Sequence, residues 1–247
     1  MSKGRGLLNF LEISSQEKIV NIFPINREII NSNKYIIMAT SNGIIKKSNL
    51  KDFENVRRSG LIAISLKKGD LLRQVSETSG EDEVVLVTQK GQAIRFKEKE
   101  IRPMGRVASG VRGIGLKPGG EDKVISMGIL KTRIAKPSLK AEPKSEKAQD
   151  FLLVVTENGY GKRTALEEYK LQRRGGMGLR TARVTPKTGD LAASAILHGG
   201  EEDLIVISQK GQVIRTKINS ISKLSRATQG VRIMKLKEDK VASIVCI

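Results

Sequence analysis

Residues Val84–Phe96, with the sequence VVLVTQKGQAIRF, return almost unchanged 120 positions later as Leu204–Thr216, LIVISQKGQVIRT. The same offset carries Gly110–Arg112 (GVR) onto Gly230–Arg232 (GVR). Agreement over so long a span indicates an internal repeat, and repeats of 20 to 50 residues are typical of solenoids and propellers. The repeat therefore decides the fold class.

Two further copies of this pattern occur at Tyr35–Gly43 (YIIMATSNG) and Phe151–Gly159 (FLLVVTENG), and a degenerate copy begins at Met1–Gly4. Each copy is an apolar run followed by a turn that ends in glycine. Asn-Gly turns between apolar runs predict β-hairpins, because such turns need residues with positive φ. The predicted turn glycines are Gly4, Gly43, Gly91, Gly159 and Gly211.

These glycines are spaced 39, 48, 68 and 52 residues apart. The long interval contains residues 131–149, rich in Lys, Pro, Glu and Ser, which predict a disordered loop insertion because such a composition cannot form a core. Without it the period is about 50, the size of one propeller blade. We therefore predict a single all-β domain over residues 1–247, a propeller of about five blades. The predicted repeats are 1–34, 35–83, 84–130, 150–203 and 204–247.

The formal net charge is +19, with 45 Lys and Arg against 26 Asp and Glu. Such an excess makes a polyanion, most commonly nucleic acid, the expected partner. No apolar run approaches the ~20 residues that span a bilayer, so no membrane partner is expected. The single cysteine, Cys246, favours the reducing cytoplasm, and the lack of a Cys/His cluster predicts neither a metal nor any other cofactor.

Basic residues recur in register with the turns. They lie four residues after the turn glycine (Lys47, Arg95, Arg163, Arg215), fifteen after it (Arg58, Arg106, Arg174, Arg226) and twenty-one after it (Arg112, Arg180, Arg232). Equal positions in a cyclic array point in equivalent directions, so we expect a basic rim that includes the adjacent Lys46, Arg57 and Lys162. A merely solvated edge would carry both signs of charge. The rim predicts phosphate contacts to duplex DNA, because aromatics that stack on single strands are only 3% of the chain.

One stretch of the rim is rich in glycine: Gln172–Gly178, QRRGGMG, places Arg174 at the rim position. Its glycines allow close backbone approach and predict N–H groups that face a phosphate. A flexible glycine-rich connection is the alternative interpretation.

QRRGGMG resembles the Gln-Arg-Arg-Gly-Gly-Lys-Gly box of the C-terminal domain family of the DNA gyrase A subunit. The stretches TENGYGKRTALEEY, VRRSGLIAISLKKGDLL, IRPMGRVASGVRGIGLKPG and SRATQGVRI are similar to the same family, so the resemblance covers nearly the whole chain. It implies a β-pinwheel, in which neighbouring blades exchange strands and duplex DNA wraps around the basic rim. It also implies that the box falls on Gln172, Arg173, Arg174, Gly175, Gly176 and Gly178.

The resemblance further implies a partnership with the breakage-reunion core of the A subunit and, through it, with the ATPase B subunit, in negative supercoiling at the nucleoid. The isolated domain is expected to be a monomer. Two features depart from the family, since Met177 replaces the lysine of the box and the box lies in the fourth repeat. The resemblance also implies six blades, of which the first is expected to be missing. The chain is thus expected to be a fragment or a reduced relative.

The sequence also leaves other functions open. The three tyrosines lie in propeller repeats and no phosphate-binding loop is present, so the chain is not expected to be an enzyme by itself. One alternative is the C-terminal domain of the topoisomerase IV A subunit, which bends DNA without a functional box. Another is a stand-alone propeller that acts as a protein-interaction scaffold, an alternative that the positive charge disfavours.

Overall fold

The computed structural model describes residues 17–22, 24–25, 32–56, 59–132 and 149–247. Within these ranges the regular structure consists of β-strands and four short 3-10 helices, and no residue is α-helical. The strands are β1 (Tyr35–Thr40), β2 (Ile44–Asn49), β3 (Leu72–Thr78), β4 (Glu83–Thr88), β5 (Gln92–Lys97), β6 (Val111–Arg112), β7 (Val124–Leu130), β8 (Phe151–Thr156), β9 (Tyr160–Ala165), β10 (Leu179–Arg180), β11 (Leu191–Leu197), β12 (Asp203–Ser208), β13 (Val213–Lys217), β14 (Val231–Arg232) and β15 (Val241–Cys246). The 3-10 helices are Leu50–Phe53, Glu98–Glu100, Leu166–Glu168 and Ile218–Ser220.

The strands form four antiparallel sheets, one for each described repeat. Their strand orders are β3-β1-β2-β6, β10-β5-β4-β7, β11-β8-β9-β14 and β13-β12-β15. The fourth strand of each four-stranded sheet comes from the following repeat, because β6 pairs with β2, β10 with β5 and β14 with β9. Neighbouring blades therefore exchange strands. Among the described residues, no such strand pairs with β13.

The strands β3, β7, β11 and β15 lie next to one another in that order, at the opposite edge from the exchanged strands. The Met127 amide of β7 donates to Gln74 Oε1 of β3 at 2.8 Å, and Ser126 of β7 hydrogen-bonds Ser194 of β11. The sheets therefore radiate from this inner edge, and β6, β10 and β14 form the outer edge.

The core lies between adjacent sheets. On β4, Val84 and Leu86 pack toward the preceding sheet, whereas Val85 and Val87 pack toward the following one. Because successive residues of a strand point to opposite faces, a strand that is packed between two apolar clusters, as β4 is, carries apolar side chains on both faces. This explains the uninterrupted apolar runs that begin each described repeat.

The four described turn glycines all have positive φ, between +78° and +85°. An aspartate closes the turn that follows β1: Asp70 accepts from Thr40 Oγ1 at 2.7 Å, Ser41 Oγ at 2.9 Å and the Asn42 amide at 2.9 Å. The hairpins predicted from the glycine spacing are therefore confirmed at these four sites.

The prediction of an all-β propeller-like fold with exchanged strands is confirmed. Four of the five predicted blades fall on described residues. Most of the first repeat, 1–34, and most of the predicted insertion, 131–149, lie outside them. The predicted blade boundaries stay predictions.

Candidate nucleic-acid interface

Each exchanged strand is preceded by a β-turn. The second residue of this β-turn is the arginine that lies fifteen residues after the turn glycine. The turns are Gly105–Ala108, Arg173–Gly176 and Ser225–Thr228, closed by N–H to carbonyl bonds of 3.1, 3.4 and 3.4 Å. We call the turn and strand together the donated segment, with ranges 103–112, 172–180 and 224–232. Arg106, Arg174 and Arg226 therefore occupy equivalent places on three blades, as the repeat predicts.

The second outer arginine lies on the exchanged strand itself. Arg112, Arg180 and Arg232 each end such a strand, and all three are exposed. Arg232 donates to the hydroxyl of Tyr160 at 2.8 Å, which orients its guanidinium along the acceptor strand. With the turn arginines, they place two positive charges per donated segment on the outer edge.

Successive donated segments are also linked to one another. The Gly115 amide donates to Gly176 O at 2.7 Å, and the Arg183 amide donates to Thr228 O at 3.0 Å. Each link joins the residues that follow one donated segment to the turn of the next. The outer edge is therefore a continuous surface, and its arginines are held in a fixed order along it.

The segment 172–180 is the glycine-rich one, and its Arg174 is fixed by the preceding repeat. The Arg174 amide donates to Glu100 Oε2 at 2.9 Å, and its Nη1 donates to Arg112 O at 2.8 Å. Arg173 beside it is exposed. One arginine of the pair thus anchors the turn, while its neighbour faces solvent.

The glycines of this segment make close backbone contacts. The Gly175 amide donates to Gly113 O at 2.7 Å, and the Gly176 amide donates to Arg173 O at 3.4 Å. A Cβ on Gly178 would lie 2.6 Å from Ala93 O. The expectation that N–H groups of Gly175 and Gly176 face a phosphate is therefore wrong, because both are used within the protein. The glycines do allow a close backbone approach, but the partner in the structure is the preceding repeat.

Two further residues of the segment complete it. The Gln172 amide donates to Arg95 O at 2.8 Å, while its side-chain nitrogen is buried without a hydrogen-bond partner. Met177 is 65% exposed. Met177 therefore faces solvent beside the arginines, at the place where the similar box has lysine.

In the first three described blades, the basic residues three and four positions after the turn glycine are not on the rim. Lys46, Lys47, Lys162 and Arg163 are buried, with at most 5% exposure. Arg95 is half-buried. The reason is the strand exchange, because the donated segment runs alongside this position and covers it. The amides of Met104, Gln172 and Leu224 donate to the carbonyls of Lys47, Arg95 and Arg163 at 2.8, 2.8 and 2.9 Å.

These side chains have internal partners instead. Lys47 pairs with the buried Glu98 at 3.4 Å, Arg95 Nη1 donates to Leu166 O at 2.9 Å, and Arg163 Nε donates to Ile221 O at 2.9 Å. The basic character of this position therefore stabilises contacts between blades.

The last blade shows the same position uncovered. The side chain of Arg215 is 66% exposed and pairs with Asp203 at 2.5 Å. The hydrogen bond from Arg215 lowers the pKa of Asp203. Arg57 and Arg58, also predicted on the rim, lie outside the described residues.

Sequence reasoning missed the residues that receive the glycine-rich segment. These are Glu100, Gly113 and Gly115, which contact Arg174, Gly175 and Gly176. A signal was present, since Gly113 and Gly115 flank an isoleucine directly after the exchanged strand. Glycines on both sides of a contact permit the backbones to approach closely.

Burial shifts the titration of several groups. It lowers the pKa of Lys162 to about 8 and raises the pKa of Cys246 to about 11. The described part of the chain holds no group of three His, Cys, Asp or Glu side chains suited to a metal ion. No helix in that part is long and apolar enough to cross a membrane.

Comparison with protein families places four stretches of the chain in one family. Residues 34–79, 82–131, 150–197 and 202–247 match the model of the DNA gyrase C-terminal domain, described as a β-propeller. Two similar curated proteins are the DNA gyrase A subunits of Staphylococcus epidermidis, 38% identical, and Staphylococcus aureus, 36% identical, each over 99% of this chain. The chain spans about a quarter of the length of these relatives.

Solved structures show the same fold. The C-terminal domain of DNA topoisomerase IV is 25% identical, with a TM-score of 0.86 over 99% of this chain and 70% of that one. The DNA gyrase A C-terminal domain is 22% identical, with a TM-score of 0.80 over 99% of this chain and 75% of that one.

Proposed function

Because the chain belongs to the DNA gyrase C-terminal domain family, we propose that it binds duplex DNA along its outer edge and wraps it. The matched family is a C-terminal domain, so the chain by itself does not carry the catalytic region and is not an enzyme. The observation that carries the proposal is the repetition of two arginines per donated segment at the outer edge.

The geometry favours contact with the DNA backbone over reading of bases. The turn arginines recur once per blade on short turns and two-residue strands, and no described helix is long enough to enter a groove. Arginine forms strong charge-assisted bonds with phosphates, and such contacts position a duplex without reading its sequence. Since the blades radiate from an inner edge, a duplex that follows the arginines must curve around the domain.

Membership of the family supports a proposal about the protein partners. We propose that the domain acts with the breakage-reunion core of a gyrase A subunit and, through it, with the ATPase B subunit. In that setting the curved duplex supplies the fixed handedness that ATP-driven negative supercoiling needs. We place this activity at the nucleoid in the cytoplasm, with no cofactor bound by the domain, and expect the isolated domain to be a monomer.

A second candidate is the equivalent domain of topoisomerase IV, which would bend DNA and select segments. Two observations favour it: the TM-score to that domain is 0.86 against 0.80 for the gyrase domain, and Met177 lacks the charge of the box lysine. The 38% identity to gyrase A supports the first candidate.

A relaxed circular DNA tests the proposal. The circle is incubated with increasing amounts of the domain, and a nicking-closing enzyme then relaxes it again. Wrapping predicts a change in linking number that grows with protein and keeps one sign. Bending without wrapping predicts binding with little change in linking number. No binding of duplex at about 0.1 M salt would instead favour a protein-interaction scaffold.

Salt dependence gives an independent check. If the domain neutralises about ten phosphates, log affinity falls with log salt with a slope of about −9. A slope near zero would contradict phosphate contact as the source of affinity.

A further inference from the structure

Lys162 is a buried lysine that faces the turn of a donated segment. It is 1% exposed, and its Nζ donates to Ser225 O at 2.5 Å, Arg226 O at 2.6 Å and Thr228 Oγ1 at 3.1 Å. All three partners belong to the turn whose second residue is the outer Arg226. The Lys162 ammonium of one repeat therefore holds the turn of the next repeat through hydrogen bonds to its backbone.

Lys46 repeats this arrangement two blades earlier. It is fully buried, and its Nζ donates to Ala63 O at 2.6 Å and to Arg106 O. Lys46 and Lys162 both lie three residues after a turn glycine, and Arg106 and Arg226 both lie fifteen after one. Two independent copies of the contact exist, each between a buried lysine and the carbonyl of an outer arginine.

The other two blades that the structure describes have isoleucine at this position, Ile94 and Ile214. Ile94 faces the glycine-rich segment, where the bond from the Gly175 amide to Gly113 O holds the turn instead. Ile214 belongs to the blade on which the structure describes no donated segment. Lysine is therefore present at the two acceptor strands whose donated segments lack adjacent glycines.

We propose that Lys46 and Lys162 are positioning residues for DNA wrapping, which hold the turns of Arg106 and Arg226 so that these arginines face the duplex. The inference rests on the proposed function. Neither lysine contacts DNA itself, since both are buried under the segment they hold. An ammonium suits this task because it has three N–H donors and the turn of Arg226 presents three acceptors.

The titration of Lys162 gives the proposal a pH signature. Burial lowers its pKa to about 8, which the carboxylate of Glu168 partly offsets and the guanidinium of Arg226 reinforces. Above that pH the neutral amine keeps two N–H donors for three acceptors, so the turn loosens. Phosphates near the turn favour the ammonium, so DNA binding takes up a proton and affinity falls as pH rises from 7 to 9.

Fold stability has the opposite sign for this group. The pKa in the folded protein lies below the usual value of 10.5, so the unfolded chain holds the proton more tightly. This group therefore makes the fold more stable as pH rises from 8 toward 10.5. A lysine that only stabilised the fold would not make DNA affinity fall over the same interval.

The test is Lys162→Ile, which copies the residue that the chain itself has at Ile94. Lys237→Ile is the control, because it removes the same charge from an exposed turn before β15. We expect Lys162→Ile to lower affinity for duplex about fivefold near 0.15 M salt, because Arg226, no longer held in place, loses its one phosphate contact. It should also remove the fall in affinity between pH 7 and 9, whereas Lys237→Ile keeps that fall. Lys162→Met serves in place of Lys162→Ile if the branched side chain prevents folding.

Hydrogen exchange in the free protein separates this inference from the proposed function. The Thr228 amide, bonded to Ser225 O at 3.4 Å, should exchange faster in Lys162→Ile than in the wild type, whether or not DNA binds. Unchanged exchange at Thr228 overturns the inference even if the domain wraps DNA. Wild-type affinity without a pH dependence, or equal losses in Lys162→Ile and Lys237→Ile, also overturns it.

Discussion

The glycine-rich donated segment, 172–180, and the donated segment 224–232 occupy equivalent places on successive blades, yet they are held differently. The first docks through its backbone, with the Gly175 amide bonded to Gly113 O at 2.7 Å. The second is held by the Lys162 ammonium, which donates a hydrogen bond to Arg226 O at 2.6 Å. Both supports present an arginine at the same turn position. The outer arginine is thus the constant feature, and its support varies from blade to blade.

The blade that receives segment 224–232, which contains β8 and β9, also differs from the last blade. Gly159 and Gly211 have nearly equal φ, +78° and +85°, but a Cβ on Gly159 would lie 2.3 Å from Met234 O, whereas one on Gly211 would meet nothing within 4 Å. Likewise Arg163 is buried and Arg215 exposed. Residues at equivalent positions of the repeat therefore differ in burial, because the following repeat packs on Gly159 and Arg163, whereas the structure describes no donated segment on the last blade.

The largest predicted effect uses this difference between glycines. Gly159→Ala should lower the free energy of unfolding by about 3 kcal/mol, because positive φ costs about 1 kcal/mol and overpacking against Met234 O about 2 kcal/mol. Gly91→Ala should behave similarly, since its Cβ would lie 2.6 Å from Ala182 O. Chemical denaturation measures both.

Gly211→Ala is the matched control, with a cost of about 1 kcal/mol from φ alone. Equal costs at Gly159 and Gly211 would contradict the account in which the following repeat packs against the hairpin turn.

The arginine pair of the glycine-rich segment gives the next effect. Arg173→Ala with Arg174→Ala should weaken duplex affinity about 25-fold, the product of two lost phosphate contacts of about fivefold each. Wrapping should weaken further, because Arg174 also fixes the turn through Glu100 and Arg112 O. Titration and the linking-number assay measure the two losses.

The double variant Lys131→Ala with Lys237→Ala removes the same charge from two exposed lysines that lie outside the donated segments. Proportional losses of binding and wrapping in the arginine variant would deny this segment a special role.

A gain is predicted at Met177. Met177→Lys should raise affinity about fivefold near 0.15 M salt, because the side chain is 65% exposed and one phosphate contact is added without loss of packing. Gln229→Lys adds the same charge at the equivalent position of segment 224–232. A gain only at Met177 identifies a special segment, whereas equal gains identify a general position of the rim. No gain at either would contradict the placement of DNA there.

The arginines fifteen and twenty-one residues after the turn glycine could be predicted from the sequence, because the repeat preserves their geometry. The burial of Lys47 and Arg163 could not. Alternation along a strand tells which residues share a face, but not what covers that face. Here a segment about 60 residues later covers it, and the backbones of Arg163 and Lys223 form a parallel β-bridge. The family resemblance implies strand exchange, but no local pattern along the strand shows which of its residues the exchanged segment covers.

The glycines of the box illustrate the same limit. The sequence indicates a close approach of their backbone, but it does not say what approaches. The structure assigns the partner to Gly113 and Gly115 of the preceding repeat, where the prediction had a phosphate.

The salt dependence of duplex binding in Arg180→Ala with Arg232→Ala shows whether a duplex follows the outer edge, because both arginines end exchanged strands there. The account predicts that the slope of log affinity against log salt becomes shallower by about 1.8, since each phosphate contact contributes about 0.9. The double variant Lys131→Ala with Lys237→Ala should leave the slope nearly unchanged. An unchanged slope in the arginine variant, or an equal change in both variants, would contradict a duplex that follows the outer edge.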